Sequence, residues 1–297
     1  MTKKSEKIAT IQIFLVAILW GMFPIVVNKG SQHIQPIFFA ASSVLLSCIT
    51  IFIISLFKKS LKELKNKRGW KLGIIVAITG TAIPEALLFI GSQLTSGINT
   101  AALLLSEIIF TLLIMPFLGE RPTLYKTLSG LLVLAGAFMI LFKSSPDGIN
   151  IGDILIFLST MTFPFGNYFS KKILNEISAE TLMIIRYSVG GIFLLALSFI
   201  TEDSSLFLAS AKEYWIYIFI NGIVLSAFTN TIWYKGLKHL EVSKAISILM
   251  TFPLFSLIFL IIFFKEIPSP YQLIGLIVIT IGGICSSLLK KSTPPNS

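Results

Sequence analysis

The sequence predicts an all-α membrane protein with ten transmembrane helices in two inverted five-helix repeats. Three observations predict it. First, 55% of the 297 residues are hydrophobic and only 13% are charged, whereas a soluble domain carries about 25% charged residues. Second, the chain divides into ten long apolar stretches, each near the roughly 20 residues that cross about 30 Å of hydrocarbon. Third, Phe117, Glu120, Pro122, Tyr125 and Gly136 reappear as Phe263, Glu266, Pro268, Tyr271 and Gly282, each 146 positions later. An ordinary soluble fold is excluded because it would expose large apolar patches. The 25 Phe exclude disorder. A closed barrel would need alternating runs of about ten residues, and the runs here are longer and do not alternate.

The first repeat takes residues 1–145, with spans at about 8–28, 36–57, 71–94, 97–118 and 123–142. Span one carries Trp20 and Pro24; its basic start resembles a signal peptide, but its apolar run exceeds the usual 7–15 or so residues, so it is read as retained. Span two holds Cys48, a packing residue. In span three Thr81, Glu85 and Ser92 fall on one helical face, and in span four Asn99, Leu103, Glu107 and Thr111 recur at steps of four. The short connection makes these two helices antiparallel neighbours, so Glu85 and Glu107 can approach each other near mid-membrane. Span five contributes Gly136.

The second repeat takes residues 146–297, with spans at about 151–170, 180–200, 213–234, 243–264 and 271–289. Span six aligns Thr160, Pro164, Asn167 and Lys171, with Tyr168 beside them. Span seven holds Arg186, span eight Ser226, Asn230 and Trp233, span nine Pro253, and span ten Cys285. Pro24 pairs with Pro164, and Gly91 with Gly236, at offsets of 140 and 145. Because five spans is an odd number, the second half enters the membrane upside-down. Opposed repeats with a site near the midplane are the architecture of secondary transporters.

The net charge of +10 is a topology signal. With the N-terminus inside, 19 of the 24 Lys and Arg fall on cytoplasmic segments and four outside, as the positive-inside rule requires. Both termini are therefore expected to be cytoplasmic. The basic run Lys58–Lys71 reads as a loop beside anionic lipid, not as a nucleic-acid surface. Lys-, Ile- and Asn-rich usage points to a prokaryotic plasma (inner) membrane.

Leu19-Trp20-Gly21-Met22-Phe23-Pro24, Gly119-Glu120-Arg121-Pro122, Lys265-Glu266-Ile267-Pro268 and Arg186 resemble motifs of the EamA-type drug/metabolite transporter superfamily. The resemblance covers nearly the whole chain. It implies two five-helix halves and export of metabolites, amino acids or drug-like molecules through a central cavity. The chain departs from the pattern where Ser43 stands opposite Arg186, and where Glu107 holds the place that Pro253 holds in the second half. Both departures change the charge of the cavity.

The expected substrate-binding residues are Glu85, Glu107, Trp20, Pro24, Asn99, Asn167, Tyr168, Asn230, Trp233 and Arg186. A carboxylate at mid-membrane costs about 2.5–3.5 kcal/mol on insertion scales, so Glu85 and Glu107 are also expected to couple protons. The alternative for each is a protonated acid bonded to a neighbouring helix. Pro24 and Pro164 either free backbone carbonyls for a ligand or merely kink their helices. Trp20 and Trp233 either stack on a substrate ring or face lipid. Arg186 either binds an anion or snorkels about 10 Å to the cytoplasmic interface. Glu120 and Glu266 read as loop caps or latches. The sequence holds no metal-ligand spacing, phosphate-binding loop or nucleophile elbow, so neither a metal nor a cofactor is expected. The expected partners are a small-molecule solute and membrane lipid, with a homodimer left open. The rival function is an intramembrane enzyme acting on lipid through a Glu85/Glu107 carboxylate dyad.

Overall fold

A computed structural model describes residues 3–58, 60–119, 124–144, 150–249, 251–264 and 269–288. They form helices alone. In chain order these are α1 (Lys3–Trp20), α2 (Phe23–Ser31), α3 (Pro36–Lys58), α4 (Lys67–Ala77), α5 (Ile83–Gln93), α6 (Gly97–Leu104), α7 (Glu107–Ile114) and α8 (Leu124–Ser144). Then follow α9 (Ile151–Thr160), α10 (Phe163–Ile173), α11 (Ala179–Thr201), α12 (Phe207–Glu213), α13 (Trp215–Phe219), α14 (Thr229–Leu237), α15 (Val242–Leu249), α16 (Phe252–Phe259) and α17 (Pro270–Leu288).

Helix starts follow local chemistry. Asn66 accepts from the Gly69 amide at 3.0 Å, Ser96 from the Asn99 amide at 3.1 Å, and Asn150 and Asp153 form a reciprocal capping box. Each satisfies donors that a helix N-terminus leaves open.

Seven stretches among the described residues are long and apolar enough to cross a bilayer. They are Ser5–Ser31, Pro36–Phe57, Lys67–Gln93, Gly97–Leu118, Ala179–Thr201, Trp215–Leu237 and Val242–Phe263. The three other expected spans fall on α8, on the broken pair α9–α10, and on α17. The described apolar run within α8 is short, Thr127–Gly136. The pieces of α9–α10 are 10 and 11 residues long, with Lys171 and Lys172 in the last turn.

The same irregularities occur twice. The interruption between α6 and α7 recurs between α15 and α16, with every helix boundary displaced by 145. The turn at Gly21–Met22 recurs at Met161–Thr162. Wide π-helical turns occupy Ile78–Ala82 before α5 and Ile220–Phe228 before α14. Helices α3 and α11 each have 23 residues.

The equivalent helices α3 and α11 pack together, as do α8 and α17, while α5 lies along α9 and α1 along α14, two pairings that the repeat exchanges. The loop after α3 meets the start of α11, and the end of α11 meets the start of α3, so that pair is antiparallel. Contacts across the halves are close where glycine allows it. A Cβ on Gly91 would lie 2.7 Å from the Gly152 carbonyl oxygen, and one on Gly166 would lie 3.0 Å from the Gly80 Cα. Small residues let membrane helices approach in this way. Large side chains such as Ile53, Phe57, Phe193, Phe199 and Ile277 point outward, as a lipid-facing surface requires.

Candidate functional site

Four helix interruptions converge. Pro24, Pro164 and Pro253 each sit at the second residue of a new helix. A proline has no N–H for the carbonyl four residues back, so Trp20, Thr160 and Leu249 lose the donor that a continuous helix would give them. The fourth interruption has no proline. There Leu105 and Ser106 amides bond three residues back, to Ala102 at 3.1 Å and Leu103 at 3.0 Å, a tightened turn. Ser106 Oγ also shares a hydrogen bond with Thr160 Oγ1 across the halves, at 2.7 Å.

The first residue after each interruption lines one cavity: Phe23, Glu107, Phe163 and Phe252. Trp20 and Leu104, the last residues before two of the interruptions, line it too, together with Glu85, Leu88, Arg186, Ser226 and Asn230. Its free volume is about 30 Å³, room for a water or two and too little for an organic solute. Trp20 stacks on Phe23 with ring centroids 5.5 Å apart.

Arg186 anchors the polar side. The wide turn at Ile78–Ala82 precedes Pro84, which has no N–H to give the Gly80 carbonyl. Arg186 Nη2 donates to that carbonyl, Nε to Thr81 Oγ1, and Nη1 to the Tyr234 hydroxyl. Its guanidinium also lies over the rings of Tyr187 and Tyr234, 5.3 and 5.7 Å from their centroids. The Glu85 carboxylate attracts it through space. Asn230 Nδ2 donates to the Tyr187 hydroxyl at 3.0 Å, and that hydroxyl donates to the Ser226 carbonyl at 3.4 Å. Glu107 accepts from Asn167 Nδ2 at 3.0 Å.

Of the ten residues singled out by sequence, five line the cavity: Trp20, Glu85, Glu107, Arg186 and Asn230. Asn167 holds Glu107 from behind, and Pro24 creates the break that presents Phe23. The snorkelling alternative for Arg186 is set aside, because the side chain is 7% exposed and its donors face inward. Tyr168, Trp233 and Asn99 are not among the lining residues. Tyr168 neighbours Asn167 in sequence, so it points about 100° away around the helix, edge-on to Phe169. Trp233 is buried one turn below Asn230. Asn99 bonds Thr95 Oγ1 at 3.2 Å and Asp153 Oδ1 at 3.5 Å near the start of α6. The step-of-four register that aligned it with Glu107 does not survive the interruption between α6 and α7.

Sequence reasoning missed Phe23, Phe163 and Phe252. The signal was present, since each opens a Phe-Pro step at a helix interruption. The motif residues Glu120, Arg121, Pro122, Lys265, Glu266 and Pro268 lie outside the described residues. Among the described residues no His, Cys, Asp and Glu group has a metal-holding geometry.

Residues 7–142 and 150–288 each match the EamA-like transporter family. The chain is 26% identical to the uncharacterized transporter YoaV of Bacillus subtilis over 83% of this chain and 85% of that one. It is 23% identical to the uncharacterized transporter YvbV of the same organism over 93% and 90%. It is 22% identical to the riboflavin transporter ImpX of Fusobacterium nucleatum over 93% and 96%. A solved crystal structure superposes with a TM-score of 0.76 at 16% identity, covering 94% of this chain and 96% of that one, which shows the shared fold.

Proposed function

The chain belongs to the EamA-like transporter family, and from that premise we propose that it is a secondary active transporter exporting small metabolites by alternating access. It is a multi-pass membrane protein, and a transporter implies a small-molecule solute. Membership of a transporter family removes the lipid-acting enzyme from consideration. Amino acids, amines and drug-like molecules are the solute classes the family resemblance implies, and one relative is named a riboflavin transporter.

In this reading residues 1–145 and 146–297 are two five-helix halves of opposite orientation, ten spans in all. The antiparallel pairing of the equivalent helices α3 and α11 supports it. Both termini then lie in the cytoplasm of a prokaryotic cell. Opposed halves of like structure exchange two conformations, each open to one side. The observation that carries the proposal is the convergence of four helix interruptions on a cavity too small for a solute. In this reading the small cavity is a closed form of the site, and the half-helices move about their interruptions to open it.

Glu85 and Glu107 are the coupling groups. Carboxylates in one buried cavity exchange protons for solute, because both cannot remain charged and unpartnered in low dielectric. The test is solute counterflow in liposomes with an imposed pH gradient. Glu85→Gln and Glu107→Gln are expected to lose gradient-driven accumulation while the protein still folds. Unchanged accumulation in both variants would remove the coupling role, and absence of counterflow for every metabolite class would remove transport.

A further inference from the structure

Among the polar groups of the cavity, the two carboxylates carry the largest uncommitted capacity and the only negative charge. Arg186 has committed three donors, to Thr81, Tyr234 and the Gly80 carbonyl. Tyr187 and Tyr234 lie against the planar guanidinium. A solute carboxylate would find three of the five guanidinium N–H donors already engaged. The glutamates differ. Glu107 is 4% exposed and gives Oε1 to Asn167; among the described residues its Oε2 has no donor. Glu85 has no hydrogen-bond donor among the described residues and meets Arg186 only through space. Trp20, whose carbonyl is deprived of its proline partner, also lines the cavity.

Charge points the same way. Two carboxylates and one guanidinium leave one negative charge in excess. The helix ends do not offset it, since every interruption brings one negative C-terminus and one positive N-terminus to the same place. A buried uncompensated charge is costly, and either a proton or a monocation removes it. The remaining walls are aromatic: Trp20, Phe23, Phe163 and Phe252. Aromatic faces attract cations and stack on planar rings.

We infer that the cavity, once its half-helices part, takes an organic monocation, a primary or secondary ammonium carried on a planar apolar body. The ammonium donates to Glu85 and Glu107, and the ring lies among Trp20, Phe163 and Phe252. A carboxylate solute of the same shape would add negative charge where one is already in excess. A neutral solute would leave the excess negative charge uncompensated. This inference deepens the transport reading of the same site and rests on it.

The test is equilibrium binding of tritiated tryptamine to the purified full chain, with tryptophol and indole-3-propionate as competitors of equal ring size. Tryptamine is expected to bind, and each competitor to be at least tenfold weaker than unlabelled tryptamine. Glu85→Gln and Glu107→Gln are each expected to weaken tryptamine at least tenfold with an unchanged melting curve. Should a Gln variant fail to fold, Trp20→Leu gives the second reading, and it is expected to weaken the amine while Glu85 stays in place. No tryptamine binding at millimolar concentration overturns the inference. So does equal competition by the carboxylate or the alcohol, or parental binding in every variant. Counterflow in liposomes separates the two readings. Amine binding without counterflow overturns transport and leaves the ligand class standing. Counterflow of indole-3-propionate alone overturns the ligand class and leaves transport standing.

Discussion

Arg186 shows what a single residue needs in order to be buried in a membrane. Its charge is tolerated because the wide turn and Pro84 offer it a carbonyl, and because Thr81 and Tyr234 take two more donors. A planar fork suits this arrangement, and a compact ammonium does not. Arg186→Lys is therefore expected to lower the unfolding midpoint in detergent more than Tyr234→Phe does. Tyr234→Phe removes one acceptor and should cost about 1–3 kcal/mol, the penalty for a buried donor left unmade. If the Lys variant unfolds like the parent, the fork geometry is irrelevant. The sequence displayed Arg186, Glu85 and Glu107 because charge is conspicuous in an apolar run. It did not display the partners of Arg186. Gly80 matters through a carbonyl whose freedom depends on the helical register, and a register change of one residue per turn leaves no trace in hydrophobic periodicity.

Two carboxylates join the halves at the level of whole helices. Glu63, after α3, accepts from the Ser178 amide at 2.7 Å, Ser178 Oγ at 2.6 Å and Thr181 Oγ1 at 2.8 Å, and so caps the start of α11. Glu202, after α11, accepts from the Ile37 and Phe38 amides at 2.7 and 2.8 Å and caps the start of α3. Each half thus caps the other's second long helix. Replacing either Glu by Gln is expected to cost about 1 kcal/mol of stability. The two caps should respond to pH with opposite sign. Partial burial alone would raise the Glu63 carboxyl, but the donors from Ser178 and Thr181 outweigh it and hold the group below the usual carboxylate range. Its contribution is present above the unfolded value of about 4.3 and is lost as pH falls through the lower folded value. Burial raises the Glu202 carboxyl, and the Ile37 and Phe38 amides do not fully offset it. Its contribution is present below the unfolded value and diminishes as pH rises towards the higher folded value. Melting curves should therefore show the Glu63→Gln penalty largest at pH 7 and the Glu202→Gln penalty largest at pH 4. Equal penalties at both pH values would count against the assignment. The helices themselves were legible as apolar runs of the right length. Their interruptions were half legible: Pro24, Pro164 and Pro253 announce themselves, whereas Leu105–Ser106 breaks a run that looks uniformly helical. That hidden break is what took Asn99 out of register with Glu107.

At the scale of the whole molecule, the decisive property is the relative orientation of the two halves. The repeat at an offset of 146 shows that two parts share a plan, and the parity of five spans argues that they are opposed. The α3–α11 pair adds a physical reason. Each carboxylate cap requires the C-terminal end of one helix to meet the N-terminal end of its equivalent, which parallel halves could not provide at both ends. Lys65 and Lys212 test this directly, since both are exposed and each follows the second long helix of its half. In a background with Cys48 and Cys285 replaced by Ala, Lys65→Cys and Lys212→Cys are each offered to a membrane-impermeant maleimide in intact cells. Opposed halves predict that residue 212 is labelled from outside and residue 65 only after permeabilisation, in keeping with the basic loop around Arg68 staying in the cytoplasm. Labelling of both from one side would abolish the inverted arrangement. It would also remove the reason for expecting two exchangeable conformations about the cavity, because that exchange depends on the halves being alike and opposed.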